Sequence, residues 1–412
     1  MNENMGQCLI ANGATLHAVW SDNRSNGGAI YYKRSTDDGL TWGPDTRVSG
    51  TPAADSFPLL ALSGSTVHLV FLRSNGAPQA ASFYKRSPDG GDTWEPDVFL
   101  GSTKWWPGVA AAGPMVYVSL NTSVTSSNSE VYFRRSTNNG TTWEPQQQIS
   151  NANGRSEDPA IAATGNRVHL VWNDNRDGTM EVYYRRSTNQ GLTWDAETSL
   201  THVPDNTYMP TIYLSGLHAD VAYGNRKSGQ FQVYHLHSGD GGSTWGADQQ
   251  ITETTNTGFY PAIARDGLNV HVAWTEMAGA PVKYRHSGNG GASWEPVVAL
   301  GSGGSIPFVA AGGESMHVIY VSQRDGHGAI YYVRNPTGNP APPILNPQRS
   351  VQPESVDLNW TSVTGASYSI EFSTNLLDGF SAILQSNVLA TPPSNSITVP
   401  MTNDRSFYRL RF

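Results

Sequence analysis

Cysteine is nearly missing from this chain of 412 residues: Cys8 stands alone, so no disulfide can form within it and the redox compartment stays open. Positive charge is also in the minority. Lys and Arg number 26 against 34 Asp and Glu, a net charge of −8 that repels phosphate backbones, so a nucleic-acid partner is not expected. No apolar run reaches the roughly 18 residues of a membrane-spanning helix. The opening Met1-Asn-Glu-Asn-Met-Gly6 has no apolar centre, so no signal peptide is expected in it. Apolar residues at helical spacing never persist beyond a turn or two. What is abundant is 42 Gly, 25 Pro, 12 Trp and 18 Tyr, which read as many short strands joined by turns. The chain is expected to be all-β.

One pattern recurs about every fifty residues, Ser-x-Asp/Asn-x-Gly-x-Thr/Ser-Trp, at Ser35 to Trp42, Ser87 to Trp94, Ser136 to Trp143, Ser187 to Trp194, Ser238 to Trp245 and Ser287 to Trp294. Its tryptophans are 52, 49, 51, 51 and 49 residues apart. The same strands return around each copy. A first often starts at proline, as in Pro58-Leu-Leu-Ala61 and Pro159-Ala-Ile-Ala162. A second ends on an aromatic, as in Leu16-His-Ala-Val-Trp20 and Val168-His-Leu-Val-Trp172. A Tyr-rich third, such as Ile30-Tyr-Tyr-Lys-Arg34, runs into the box, and a short outer strand such as Thr46-Arg-Val-Ser49 follows it. Four strands per unit joined by hairpins is a β-propeller blade. Within the box, the Asp or Asn accepts backbone N–H bonds in a tight turn, the Gly opens the backbone, and the Trp is expected to fold back fully buried between strands.

The first three strands recur a seventh time, at Ile306-Pro-Phe-Val-Ala310, Met316-His-Val-Ile-Tyr320 and Ala329-Ile-Tyr-Tyr-Val333, without box or outer strand. Seven blades are therefore expected over residues 1–334, with six blades plus a partial closing unit as the alternative. Residues 335–343 form a stiff Pro-rich linker. Residues 344–412 read as five or six antiparallel strands, a small β-sandwich.

In a blade, the loop between second and third strands opens on the same face as the loop joining successive blades, and the boxes open on the other. A ligand site at the mouth should draw on the first two loop sets. Counted from the aromatic ending the second strand, Asp22, Asp174 and Glu276 share one offset; Arg24, Arg176 and Arg324 share another, with Arg73 and Arg226 near it. The loops between blades add Asp55, Trp105, Trp106, Arg155, Glu157, Asp158, Asp205, Tyr208 and Tyr260. Aromatics stack on sugar rings, carboxylates bond hydroxyls, and Arg holds an anionic group by two bonds. The candidate ligand-binding residues are Asp22, Arg24, Arg73, Trp105, Trp106, Asp158, Asp174, Arg176, Arg226 and Arg324, although a repeated Asp–Arg pair could equally cap its loop or link blades. His17, His68, His169, His271 and His317 occupy one mid-strand position and are read as blade packing, so neither a metal nor another cofactor is expected.

Val19-Trp-Ser-Asp-Asn-Arg24, continued by Tyr32-Lys-Arg-Ser-Thr-Asp-Asp-Gly-Leu-Thr-Trp42, resembles an early blade of the bacterial exo-sialidases, the Asp-box or BNR-repeat propellers; the likeness covers roughly residues 5–334. It implies an arginine triad on a sialic acid carboxylate, a Tyr nucleophile activated by Glu, and an Asp acid/base. The family's first arginine lies in a Phe/Tyr-Arg-Ile-Pro segment. Here the matching stretch, Met5-Gly-Gln-Cys-Leu-Ile10, has no arginine, and the residue two before each proline is Ser56, Trp105, Glu157, Tyr208, Phe259 or Ser305. The tail resembles a fibronectin type III or immunoglobulin-like module of secreted bacterial proteins, a spacer or attachment unit. Two readings stay open for a monomeric, extracellular or cell-surface protein with a glycan or polysaccharide partner. In one, the mouth binds glycans or protein without chemistry; in the other, it cleaves them with Tyr208 or Tyr260 and Glu157 or Glu276.

Overall fold

The computed structural model describes residues 7–335 apart from 25–27, 51–53, 75–79, 105, 126, 204, 228, 254–257, 277–279, 302, 313–314 and 323–327, and beyond them residues 346–349, 355–361, 367–373, 382–389, 394–400 and 407–411. Between residues 7 and 335 the strands form seven antiparallel sheets, the blades of a β-propeller, with no helix among the described residues. The first blade is Gln7–Asn12, Thr15–Asp22, Ala29–Ser35 and Thr46–Arg47, paired in chain order. Five more blades of four strands start at Ala54, Gly108, Ser156, Thr207 and Phe259. The seventh has three described strands, Gly304–Gly312, Ser315–Ser322 and Ala329–Asn335. The alternative of six blades is thereby excluded, because this last sheet is paired like the others and its second strand is buried throughout. Second strands are buried along nearly their whole length, as at Thr66–Ser74. They lie inside a blade with a neighbouring blade against each face, which is why they read as almost continuous apolar runs.

The box is a hydrogen-bonded turn. Ser35 Oγ donates to Asp37 and accepts the Gly39 N–H at 2.9 Å, while Asp37 accepts the Thr41 N–H at 2.9 Å. These Thr41 bonds lower the Asp37 pKa to about 2. Two consecutive residues take the left-handed conformation: Asp38 and Gly39 at φ 60° and 79°, Gly90 and Gly91 at 73° and 100°. That requirement explains the Gly-Gly pairs in three of the boxes.

The box tryptophans do not fold back fully buried into their own blade. All six are half-buried, and each meets edge-on an aromatic ring from the third strand of the preceding blade. The pairs are Trp42–Tyr332, Trp94–Tyr32, Trp143–Tyr84, Trp194–Phe133, Trp245–Tyr184 and Trp294–His235, with centroids 4.9 to 5.2 Å apart. Such edge-to-face pairs contribute about 0.5–1.5 kcal/mol beyond their area burial. The box glycine makes the approach possible: a Cβ on Gly140 would lie 1.8 Å from Tyr84 Oη, and one on Gly39 1.7 Å from Tyr332 Oη. The arginine before the box serine crosses the same seam. Arg34, Arg86, Arg135 and Arg186 donate to the carbonyls of Gly90, Asn139, Gln190 and Gly241 in the next blade at 2.6–2.8 Å.

The repeated histidines hold the seam tyrosines. His17, His68, His169, His271 and His317 hydrogen-bond through Nδ1 to Tyr32, Tyr84, Tyr184, Tyr284 and Tyr332 at 2.7–2.8 Å. Among the described residues, blades seven and one meet through side chains and share no strand. Arg334 and Ser315 both donate to Asp38, Trp42 covers Tyr332, and Leu9, Leu16, Ala310 and Ile319 share a core.

By contacts the chain divides into two compact units, Met1–Pro340 and Ala341–Phe412. Of the expected linker 335–343, all but Asn335 lies outside the described residues. The second unit contains two three-stranded antiparallel sheets. Ser355–Thr361 lies between Asn346–Arg349 and Ser394–Pro400, and Ser367–Ser373 lies between Ala382–Leu389 and Phe407–Arg411. Leu358 in one sheet and Ile370 in the other are fully buried.

If the glycine contact clips the blades, Gly140→Ala should lose about 2–5 kcal/mol through overpacking and a left-handed Cβ. Gly113→Ala, also left-handed but with nothing within 4 Å of its Cβ, should lose only about 1–2 kcal/mol. Urea unfolding compares them, and equal losses would rule the contact out as the clip.

Burial pushes His17 and His68 down to about 4, and His169 and His271 to about 3. An unfolded His titrates near 6.5, so the unfolded chain binds more protons below that pH. Stability should be complete above about pH 6.5 and drain away as the pH falls towards 4, with His68→Gln flattening part of that slope. A pH-independent unfolding midpoint over this window would contradict the buried neutral imidazoles.

Candidate functional site

The first strands of the blades line a central cavity of about 500 Å³. Near its start each strand from blades two, four, five, six and seven is interrupted. The residue before the proline is left-handed: Phe57, Asp158, Met209, Tyr260 and Ile306, at φ 50–52°. The ladder skips there, between Ser56 and Leu59 or between Glu157 and Ala160. Proline offers no N–H to the ladder, and a non-glycine residue at positive φ costs about 1–3 kcal/mol. The result is a change of address. Phe57, Trp106, Asp158, Met209, Tyr260 and Ile306 line the cavity, whereas Ser56, Glu157, Tyr208, Phe259 and Ser305, one residue earlier, do not. The bulged segments pair with the ends of the second strands, Asp55 with Arg73 and Ser156 with Asp174, which puts these six side chains at the mouth served by the interblade loops.

Trp106 stacks on Phe57 with centroids 4.9 Å apart, forming an aromatic wall. Asp158 accepts a hydrogen bond from Asn173 Nδ2 at 3.1 Å. Burial raises the pKa of Asp158, and the adjacent Glu157 carboxylate raises it further. Asp174 in the same blade moves the other way. Burial opposes its charge, but bonds from Arg176, Trp172 and Ser156 hold its carboxyl below the usual range. The two carboxyls of this blade are thus shifted in opposite directions, and of the two only Asp158 lies in the cavity lining.

Of the residues read as catalytic, Tyr260 lies in the cavity lining and three lie outside it. Glu157 is engaged by Lys104 Nζ at 2.9 Å and Ser129 Oγ at 3.4 Å, with Arg155 3.9 Å away. Tyr208 meets Phe231 edge-on at 5.1 Å; Phe231 in turn contacts Phe259 at 4.7 Å and carries the Arg226 guanidinium over its face at 5.1 Å. Glu276 lies 3.9 Å from Lys283.

The repeated Asp–Arg residues form pairs inside their blades. Arg24 bonds Asp22 at 2.8 Å and Asp45 at 2.9 Å while lying over Tyr31. Arg73 bonds Asp55 at 2.7 Å and Asp97 at 2.8 Å over Phe83. Arg176 bonds Asp174 at 2.9 Å and pairs with Glu197 over Tyr183. Each guanidinium ties the end of the second strand to a carboxylate three residues past the box tryptophan. Trp105 and Arg324 lie outside the described residues. Among the described residues no group of three His, Cys, Asp or Glu is placed to hold a metal.

No family model matches the chain, and no curated protein matches it. Solved structures match its fold. An ulvan lyase of polysaccharide lyase family PL25, bound to -[GlcA(1-4)Rha3S]-, has a TM-score of 0.52 at 12% identity, covering 80% of this chain and 92% of the lyase. The GH93 α-L-arabinofuranosidase of Fusarium graminearum, in complex with arabinobiose, has a TM-score of 0.51 at 15% identity, covering 81% and 92%. The Hadza microbial sialidase Hz136 matches more loosely, with a TM-score of 0.47 at 15% identity over 75% and 71%. Glycan-active enzymes share this propeller fold.

If Arg176 serves its blade, Arg176→Ala should cost about 3 kcal/mol, because Asp174 is left buried without its partner. Arg176→Lys should not restore the loss, since an ammonium cannot reproduce the two-pronged bond. Wild-type stability of Arg176→Ala in chemical denaturation would mean that the guanidinium is free for a ligand instead.

Proposed function

We propose that this protein recognises carbohydrate at the mouth of its propeller. The observation that carries this reading is the ring of six side chains turned into the cavity mouth, where the stacked Phe57 and Trp106 face a concave space that also holds Asp158 and Tyr260. A flat aromatic wall with a few polar groups suits a sugar, whose C–H face stacks while its hydroxyls bond. Five of the six ring positions adopt positive φ without being glycine, and strain of that kind tends to persist where function selects it. In this reading the Ser-x-Asp/Asn-x-Gly boxes are Asp-box (BNR) repeats of sialidase-like architecture. Residues 344–412 act as a fibronectin III- or immunoglobulin-like spacer or attachment module. The protein works as a monomer outside the cell or at its surface.

A second reading, that the same mouth cleaves its glycan, is favoured by Asp158 alone, a carboxyl whose raised pKa suits an acid or base. Tyr260 in the lining is the nearest of the other candidates in role.

A glycan array on the full chain, followed by analysis of bound polysaccharides for new reducing ends or unsaturated products, separates the readings. Trp106→Ala should lower affinity at least about tenfold with folding intact, the equivalent of about 1.4 kcal/mol. Unchanged binding in Trp106→Ala would move the site away from the mouth. Binding without any product would leave recognition and eliminate cleavage.

A further inference from the structure

The charge around the mouth is more selective than its shape. No Lys, Arg or His lines the cavity among the described residues, and the one Asp or Glu in its lining is Asp158. The segments leading into the first strands, 48–57, 104–106, 149–158, 200–209, 251–260 and 302–306, carry Lys104 and Arg155 against Asp55, Glu157, Asp158, Asp205 and Glu253. Lys104 is bonded to Glu157, and Arg155 lies 3.9 Å from that same carboxylate. Arg24, Arg73 and Arg176 are held by carboxylates of their own blades, and Arg226 lies over Phe231 outside the lining. Arg324 lies outside the described residues; among those described, a sugar carboxylate entering the mouth would meet Asp158, with Glu157 behind it, and no guanidinium in the lining to pair with. Like charges brought together at a desolvated interface repel strongly, and an unpaired buried charge adds its own desolvation penalty.

We propose that the mouth takes an uncharged saccharide, seated with its C–H face on the Phe57–Trp106 wall and its hydroxyls on Asp158, and that it rejects uronic and sialic acid residues. This rests on the reading of the mouth as a glycan site. It makes the fold's likeness to enzymes of anionic polymers uninformative about charge here, because the selection lies in side chains of the mouth and not in the blades.

The test is isothermal titration of the full chain with uronate-bearing oligosaccharides and their carboxyl-reduced forms at matched length. The neutral member of a pair should bind at least about tenfold more tightly, the fold-change expected of one misplaced charge. Met209→Arg and Asp158→Arg, two independent ways of putting a cation in the ring, should each cut that preference at least about tenfold or reverse it. Equal or tighter binding of the uronate member by the wild type overturns the proposal. So does a neutral preference that neither folded arginine variant changes, since the selection would then come from elsewhere. If no member of any pair binds, the glycan reading falls, and this inference falls with it.

Discussion

The propeller depends on one contact repeated around the ring: an indole edge set against an aromatic ring of the preceding blade, over a glycine that leaves room for it. The hydrogen-bonded turn from Ser35 to Thr41 shapes the box, but the turn is useful because it delivers Trp42 and Gly39 to Tyr332. Tyr332 is fixed in turn by His317, and Arg334 beside it reaches Asp38. Histidine, tyrosine, glycine, tryptophan and arginine thus form one unit spanning two blades. Blade seven has no box, so the junction between blades six and seven relies on an apolar core that includes Val282, Tyr284, Val309 and Tyr320.

Blade five shows how the unit tolerates change. Asp220 replaces the histidine, His235 the tyrosine and His237 the arginine, three substitutions that each look disruptive alone. The carboxylate accepts from His235 at 2.8 Å, and Arg265, from the first strand of blade six, bonds both Asp220 and the carbonyl of Gly290. Burial opposes the Asp220 charge, yet Arg265 and the two histidines keep its pKa far below the ordinary range. Trp294 still packs edge-on, now against His235. The geometry of the seam survives while its chemistry changes from neutral hydrogen bond to ion pair.

Much of this architecture was legible in the sequence, because box, aromatic-ended strand and period are local features that every blade repeats. The partner of the box tryptophan was not legible. The contact joins residues about sixty positions apart, and at the ring closure residues at opposite ends of the propeller, and nothing local distinguishes burial in the tryptophan's own blade from packing on its neighbour. The mouth was legible only to within one residue. Of the residues that the interblade loops offered, Trp106, Asp158 and Tyr260 lie in the cavity lining. The bulge before the proline in five of the blades could not be anticipated, because a residue before proline ordinarily prefers extended backbone. That bulge turns Phe57, Met209 and Ile306 inward while leaving Glu157 and Tyr208 behind, and a recurring proline near the start of the first strand in blades two to seven was its only trace. The blade-five cluster escaped for a similar reason, since each of its members looks like a lapse in the repeat until all are placed together.

Blade seams and mouth have opposite characters. At the seams, charges are paired and large rings interlock, so these residues can be exchanged only in compensating sets. At the mouth the backbone is strained, the side chains differ from blade to blade, and one carboxyl faces open space. A crystal structure of the protein with its tightest-binding oligosaccharide tests this division most directly. A sugar ring in contact with Trp106 and within hydrogen-bonding distance of Asp158 is the expected result. A sugar seated instead on the Arg24, Arg73 or Arg176 loops, on the box face, or on residues 344–412 would contradict the account.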